Sequence, residues 1–274
     1  MSVIFASSTC DLNLKILKKV GVEVLNLPVN FNGKKCLYNA SKFNFDEYYA
    51  NSNIALDEPN YTKLIKTKFT EALLTGQDLI YLTANAKYDL TYKFVNPILK
   101  ELATKFPEQK IEIVNCNNYS LGYGLIVYEA GIVNSRGESI TEVTKFVNKI
   151  KRQIKTYIIP STNANIKQKL TLVGGMIGVR PVLEVVGGEL KVLNNVRGKK
   201  NIINVLLEKA KQNSNEVPLA IMCGKNTDEA NALEEYVLEA DSERVILKGG
   251  INPLMLSQFG DRTIAISYYK KPRS

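Results

Sequence analysis

The 274-residue chain contains no histidine and no tryptophan. Without an imidazole neither a Ser-His-Asp nor a Cys-His pair can form, and a general base near neutral pH would have to be a perturbed carboxylate, lysine or thiol. Four cysteines (Cys10, Cys36, Cys116, Cys223) are scattered with no C-x-x-C spacing, so zinc would need all four, and no metal site is expected. Free thiols suit a reducing compartment. No segment approaches the roughly 20 apolar residues that cross a bilayer, and the N-terminus lacks the charged and apolar regions of an export signal. These absences set the expectation of a cytoplasmic, non-catalytic protein without a cofactor.

What is present is the material of an ordered core, with 45% hydrophobic and 23% charged residues and no low-complexity tract. The net charge of +9 and a pI near 9.2 raise the question of an acidic partner. The excess is thinly spread, in the pairs Lys34-Lys35, Lys151-Arg152, Lys199-Lys200 and Lys270-Lys271. No aromatic-studded basic block accompanies them, so the charge reads as solvated surface and no nucleic-acid partner is expected.

Short apolar strands alternate with amphipathic helices, the pattern of an α/β fold. Strands are expected at 3–6, 22–29, 79–84 and 111–114, with helices at 12–19, 61–74, 92–106, 121–133 and from Ser139 to about Lys155. The 92–106 helix carries Phe94, Ile98, Leu102 and Phe106 on one face. Gly122 and Gly124 allow something to approach the first turn of the 121–133 helix closely. Ser7, Ser8, Thr9, Cys10 and Asp11 end the first strand, and Ser8, Thr9 and Asp11 are read as capping the first helix and pinning its loop. A turn-rich insertion occupies 31–60, with a hairpin on Asn32-Gly33 and a short helix from Asp46. The second half reads as a mixed sheet, with strands at 156–159, 217–223, 244–247 and 263–269, a hairpin across Gly187-Gly188 and helices at 201–211 and 228–240. The expected division is an N-terminal domain over 1–155, an open mostly parallel sheet with flanking helices, and a C-terminal mixed-sheet domain over 156–274.

Five short pieces in one order then carry a resemblance: Ser8-Thr9-Cys10-Asp11-Leu12, Thr91-Tyr92 before a long helix, Ser120-Leu121-Gly122-Tyr123-Gly124, Gly178-Val179-Arg180-Pro181 and Val196-Arg197-Gly198-Lys199-Lys200. The chain resembles the DegV family, two-domain bacterial proteins that hold one fatty acid, some of them as the lipid-carrying subunit of a fatty acid kinase. The resemblance implies a long-chain fatty acid or related lipid between the domains. It further implies a fatty acid kinase catalytic subunit as partner and peripheral contact with a membrane. It puts the lipid head group near Asp57, Asn85, Ala86, Thr91, Gln258 and Arg180, the acyl tunnel near Leu170, Val173, Met176, Ile177 and Met255, and a partner or phosphate contact at Arg197.

The sequence departs from the family where the head group would sit. Asp57 and Glu58 stand where the family has hydroxyls, Asn85 and Ala86 replace a pair of serines, and Gln258 replaces a histidine. A fatty carboxylate is held by two or three charge-assisted hydrogen bonds, each contributing about 1.5–3 kcal/mol. Acids at that spot would repel it unless Arg180, Arg197 or Arg262 turns inward. The tail is a separate matter, because about 0.8 kcal/mol per methylene binds it whatever the head group. Two alternatives stay open: the same tunnel with a different head group, or an interaction protein whose acyl path is filled by its own side chains.

Overall fold

The computed structural model describes residues 2–31, 33–38, 54–162, 164, 166, 178–212, 218–225 and 227–270. Strand β1 (Ser2–Ser7) runs into one 3-10 turn (Ser8–Cys10), then α1 (Leu14–Lys19) and β2 (Val22–Leu25). A side hairpin of β3 (Leu27–Phe31) and β4 (Lys34–Tyr38) follows, and β5 (Ile54–Leu56) pairs along the other edge of β3. Then come α2 (Glu58–Leu74), β6 (Asp78–Thr83), α3 (Tyr92–Lys105), β7 (Ile111–Asn115), α4 (Ser120–Ser135) and α5 (Ile140–Ile150). The second half holds β8 (Ile154–Ile159), β9 (Val179–Val186), β10 (Glu189–Arg197), α6 (Lys199–Ala210) and β11 (Leu219–Cys223). It closes with α7 (Thr227–Ala240), β12 (Ile246–Gly250), α8 (Pro253–Phe259) and β13 (Ile264–Tyr269).

The first sheet is parallel throughout, in the order β2-β1-β6-β7, and the second is mixed, in the order β10-β9-β8-β13-β11-β12. This is the expected α/β architecture of a parallel and a mixed sheet with covering helices. Alternation along the strands builds the layers. In β1 and β6, Ile4, Ala6, Ile80 and Leu82 face one core, while Phe5, Leu79 and Tyr81 face another formed with α2 and α3. In the mixed sheet Ile158, Ala220, Met222 and Ala265 face the first of these cores, and Tyr157, Ile159, Ile221 and Ile266 face a third beneath α6 and α7.

Helix α4 therefore lies between the two sheets, with Leu121, Tyr123, Leu125, Ile126 and Val127 all buried. A helix apolar on every side can be stable only when it is enclosed in this way. Its glycines make the fit possible. A Cβ on Gly122 would fall on the Thr156 hydroxyl of β8, and one on Gly124 on the Cys10 carbonyl oxygen. The close approach expected at this turn is thus to β8 of the mixed sheet and to the 3-10 turn that leaves β1 of the parallel one.

Four expectations change. The single strand expected over 22–29 is two, β2 and β3, which break at Asn26 and join different sheets. The helix expected to reach Lys155 ends at Ile150, and Ile154 opens β8. The strand expected over 244–247 is β12 at Ile246–Gly250, with Arg244 buried before it. Ser8, Thr9 and Asp11 do not cap α1: Asn13 does, its Oδ1 accepting from the Lys15 amide at 2.9 Å, because the 3-10 turn delays the helix. The helix expected from Asp46 lies outside the described residues.

Candidate functional site

The two sheets meet across a seam that, among the described residues, polar side chains cross at the following places. At the first, the tip of the β9–β10 hairpin reaches the loop after β6. The Asn85 amide nitrogen donates to the Gly188 carbonyl at 2.7 Å and the Tyr119 hydroxyl donates to the same oxygen at 3.0 Å. Beside them Glu189 accepts from Lys87 and from the Tyr88 hydroxyl, each at 2.7 Å. At the second, the Thr156 hydroxyl of β8 donates to Asn118 Oδ1 at 2.7 Å.

The third crossing centres on Asp11, a buried residue in the left-handed region at φ 57°. Its Oδ1 accepts from the Tyr38 hydroxyl at 2.7 Å, and its Oδ2 accepts from Asn252 Nδ2 at 2.8 Å and from the Ser120 hydroxyl. Asn252 also caps α8 through the Met255 amide at 3.0 Å, so one side chain starts a helix of the second half and ties it to the first. Burial pushes the Asp11 carboxyl up to about 7 although three donors pull it down. Sequence reading missed Asn252 in this role. The Asn-Pro pair marks a helix start, but nothing local shows that its amide reaches across 241 residues of chain.

Between the first and third crossings lies a cavity of ≈ 40 Å³. Its apolar wall includes Ala84, Leu90, Leu254, Met255 and Phe259, and its polar side Thr9, Asn85, Asp89, Ser120, Asn252 and Gln258. Space of this size admits water molecules and not an acyl chain. Larger depressions lie elsewhere: ≈ 550 Å³ along α5 beside Lys145, Lys149 and Arg152, and ≈ 400 Å³ beside Lys151 and Lys155. The first is lined largely by charged and polar groups of one half, and the second spans both halves, with Asn117 and Asn118 opposite Val185, Val186 and Gly187 beside the two lysines.

Of the sequence-derived site residues, Asn85, Met255 and Gln258 come together at this cavity. The other described ones do not line it. Ala86 is half-buried, its amide donating to Asn115 Oδ1 at 3.2 Å. Thr91 is buried against Asp89, donating to its Oδ1 at 2.7 Å. Asp57 is the N-cap of α2, bonded to Asn60 Nδ2 at 2.7 Å and paired with Lys35 at 3.2 Å, and these partners hold its carboxyl below the usual range. Arg180 turns into the second half instead of the seam. It donates to the Pro160 and Ile159 carbonyls at 2.7 and 2.9 Å and faces Glu229 at 3.6 Å. Arg197 is exposed at the end of β10. Leu170, Val173, Met176 and Ile177 lie outside the described residues.

Asp89 and Thr9 were not among the expected site residues. Asp89 accepts from the Thr91 amide and hydroxyl and, at 3.1 Å, from the Thr83 hydroxyl, and burial raises its carboxyl pKa. Thr9 is 7% exposed and its hydroxyl has no hydrogen-bond partner among the described residues.

A family model described as an uncharacterised protein of the DegV family matches residues 2–271. A DegV domain-containing protein of Clostridium perfringens is 25% identical over 280 residues, covering 97% of this chain and 96% of that one. One from Lactococcus lactis is 25% identical over 288 residues, covering 96% of each. Among solved structures, a fatty acid (stearic acid)-binding protein of Eubacterium ventriosum superposes with a TM-score of 0.81 at 16% identity, covering 99% of both chains. The fatty acid kinase B3 protein of Streptococcus pneumoniae, loaded with linoleic acid, gives a TM-score of 0.76 at 15% identity over 99% of this chain and 100% of that one.

Proposed function

Since this chain belongs to the DegV family, we propose that it binds a single long-chain fatty acid or related acyl lipid at the seam between its sheets, as a non-catalytic carrier. The observation that carries the reading is the cavity between the halves. It is the place where apolar side chains of α8 (Leu254, Met255, Phe259) face the strand ends of the parallel sheet, and Asn85, Met255 and Gln258 converge there. Strand ends of an open parallel sheet are where such crevices form. The likeness in fold to the stearic acid-binding and linoleic acid-loaded proteins supports the same reading.

Loading requires the seam to open. The tail then supplies most of the affinity, about 0.8 kcal/mol for each buried methylene. In this proposal the two units divide near residue 155, and Leu170, Val173, Met176, Ile177 and Met255 border the tail. Arg197, exposed beside Lys199 and Lys200 at the start of α6, is the contact for a phosphate or a fatty acid kinase catalytic subunit. A cytoplasmic location and passing contact with a membrane belong to the same reading; among the described residues no helix is long and apolar enough to cross a membrane.

The test is extraction of the purified protein with organic solvent and mass spectrometry of the extract, followed by titration of the stripped protein with acyl lipids. One acyl lipid per chain and saturable rebinding are expected. An extract without stoichiometric lipid, together with a stripped protein that takes none up, refutes the carrier function.

A further inference from the structure

A fatty carboxylate offers only acceptors, so its site must present spare donors. With the seam closed, the donors lining its cavity are committed except at Gln258 and Thr9. Both N–H groups of Asn85 are used, on the Gly188 carbonyl at 2.7 Å and the Tyr119 hydroxyl at 3.3 Å. Both of Asn252 are used as well, on Asp11 Oδ2 at 2.8 Å and the Thr9 carbonyl at 3.4 Å. The Ser120 hydroxyl donates to Asp11, the Tyr88 hydroxyl to Glu189 and the Tyr119 hydroxyl to Gly188. Gln258 spends one N–H on the Leu254 carbonyl at 3.3 Å and keeps the other.

Charge points the same way. Among the described residues no lysine or arginine lines the cavity, whereas the Asp89 carboxylate does, and the Asp11 carboxylate lies directly behind Ser120 and Asn252. Arg180, the one arginine among the expected head-group residues, is engaged by backbone carbonyls and Glu229.

One group stands ready for a ligand. The Thr9 hydroxyl is buried, unpartnered and part of the cavity wall. A hydroxyl both donates and accepts, and the group that satisfies it in both senses is another hydroxyl or an N–H-bearing amide, whereas a carboxylate or an ester can only accept. The geometry points to an acyl lipid with an uncharged, hydroxyl-bearing head, such as a monoacylglycerol or a fatty alcohol, as the ligand of this seam, with Thr9 as its head-group contact. The inference rests on the carrier reading above and narrows it.

The experiment titrates the stripped full-length protein with monopalmitoylglycerol, hexadecanol and palmitate at about pH 8, where palmitate is ionised. At least one uncharged lipid is expected to bind about tenfold tighter than palmitate, the ratio expected when an anionic head finds few donors and nearby carboxylates. Thr9→Val removes the hydroxyl at nearly constant shape and should weaken the uncharged lipid about fivefold to tenfold. Thr9→Ser should restore it. Palmitate binding as tightly as both uncharged lipids, or Thr9→Val leaving their affinity unchanged, overturns the head-group assignment and leaves the carrier reading standing. Failure of all three lipids to bind overturns the carrier reading itself. If Thr9→Val does not fold, the wild-type ranking of the three lipids and the Thr9→Ser affinity decide the matter alone.

Discussion

Replacing Asp11 by asparagine should make the protein's stability markedly less dependent on pH between about 4 and 7. Asp11 is 1% exposed, and its carboxyl is raised from an ordinary 3.8 to about 7 by burial. A carboxyl whose pKa is higher folded than unfolded binds its proton more tightly in the folded state. Its contribution is therefore complete below the unfolded value and disappears as pH rises through the folded one. In that window stability falls by about 1.4 kcal/mol per pH unit, or ~4 kcal/mol over the ~3 units between the two values. The amide of Asp11→Asn cannot ionise, and its surroundings accommodate it. Its oxygen can take the place of Oδ2 and go on accepting from Asn252 and Ser120, while the Tyr38 hydroxyl turns from donating to accepting from the new NH2 group. Urea unfolding of both proteins at pH 5, 6, 7 and 8 measures the effect. The stability difference should move in favour of Asp11→Asn as pH rises to about 7 and then level off. A difference constant with pH would show that Asp11 is ionised throughout and that its three donors outweigh its burial.

Three further outcomes follow from the packing. Gly124→Ala places a methyl on the Cys10 carbonyl and 2.9 Å from Leu12 Cγ, so it should destabilise by about 1–3 kcal/mol, read by thermal or urea unfolding; an unchanged midpoint would mean α4 can shift freely between the sheets. Asn85→Ala strips the Gly188 carbonyl of one of its donors across the seam and should cost about 1–3 kcal/mol, with faster amide exchange at the β9–β10 turn; protection unchanged there would remove this latch from the account. Arg180→Met takes a buried cation from beside Glu229 and from two carbonyls of the β8 end, and should cost about 3–5 kcal/mol while leaving lipid affinity per folded molecule unaltered; a selective loss of fatty acid binding would return Arg180 to the head-group site.

The order of strands and helices was legible because it rests on local periodicity. The Gly187-Gly188 turn, the helix start at Ser139 and the apolar face of α3 could all be read from spacing, and each is present. Val22–Val29 was misread for the same reason. Its apolar residues continue without a break, and only pairing with different partners separates β2 from β3 at Asn26. Of the site, Asn85, Gln258 and Met255 were legible through resemblance, and they meet at the cavity. Asp57 and Arg180 were less so, because residue type reveals a charge but not its partner. Asp57 caps a helix beside Lys35, and Arg180 spends its guanidinium on backbone carbonyls.

By itself the sequence determined the alternation of elements, the two glycines that thin the first turn of α4, and the exclusion of histidine chemistry, since composition and short-range spacing carry all of these. Tertiary structure alone decided which polar groups arrive at the seam with a hydrogen bond still to give. That depends on partners such as Asn252 and Gly188, hundreds or about a hundred residues away along the chain, and a buried donor's fate is set by whatever folds against it.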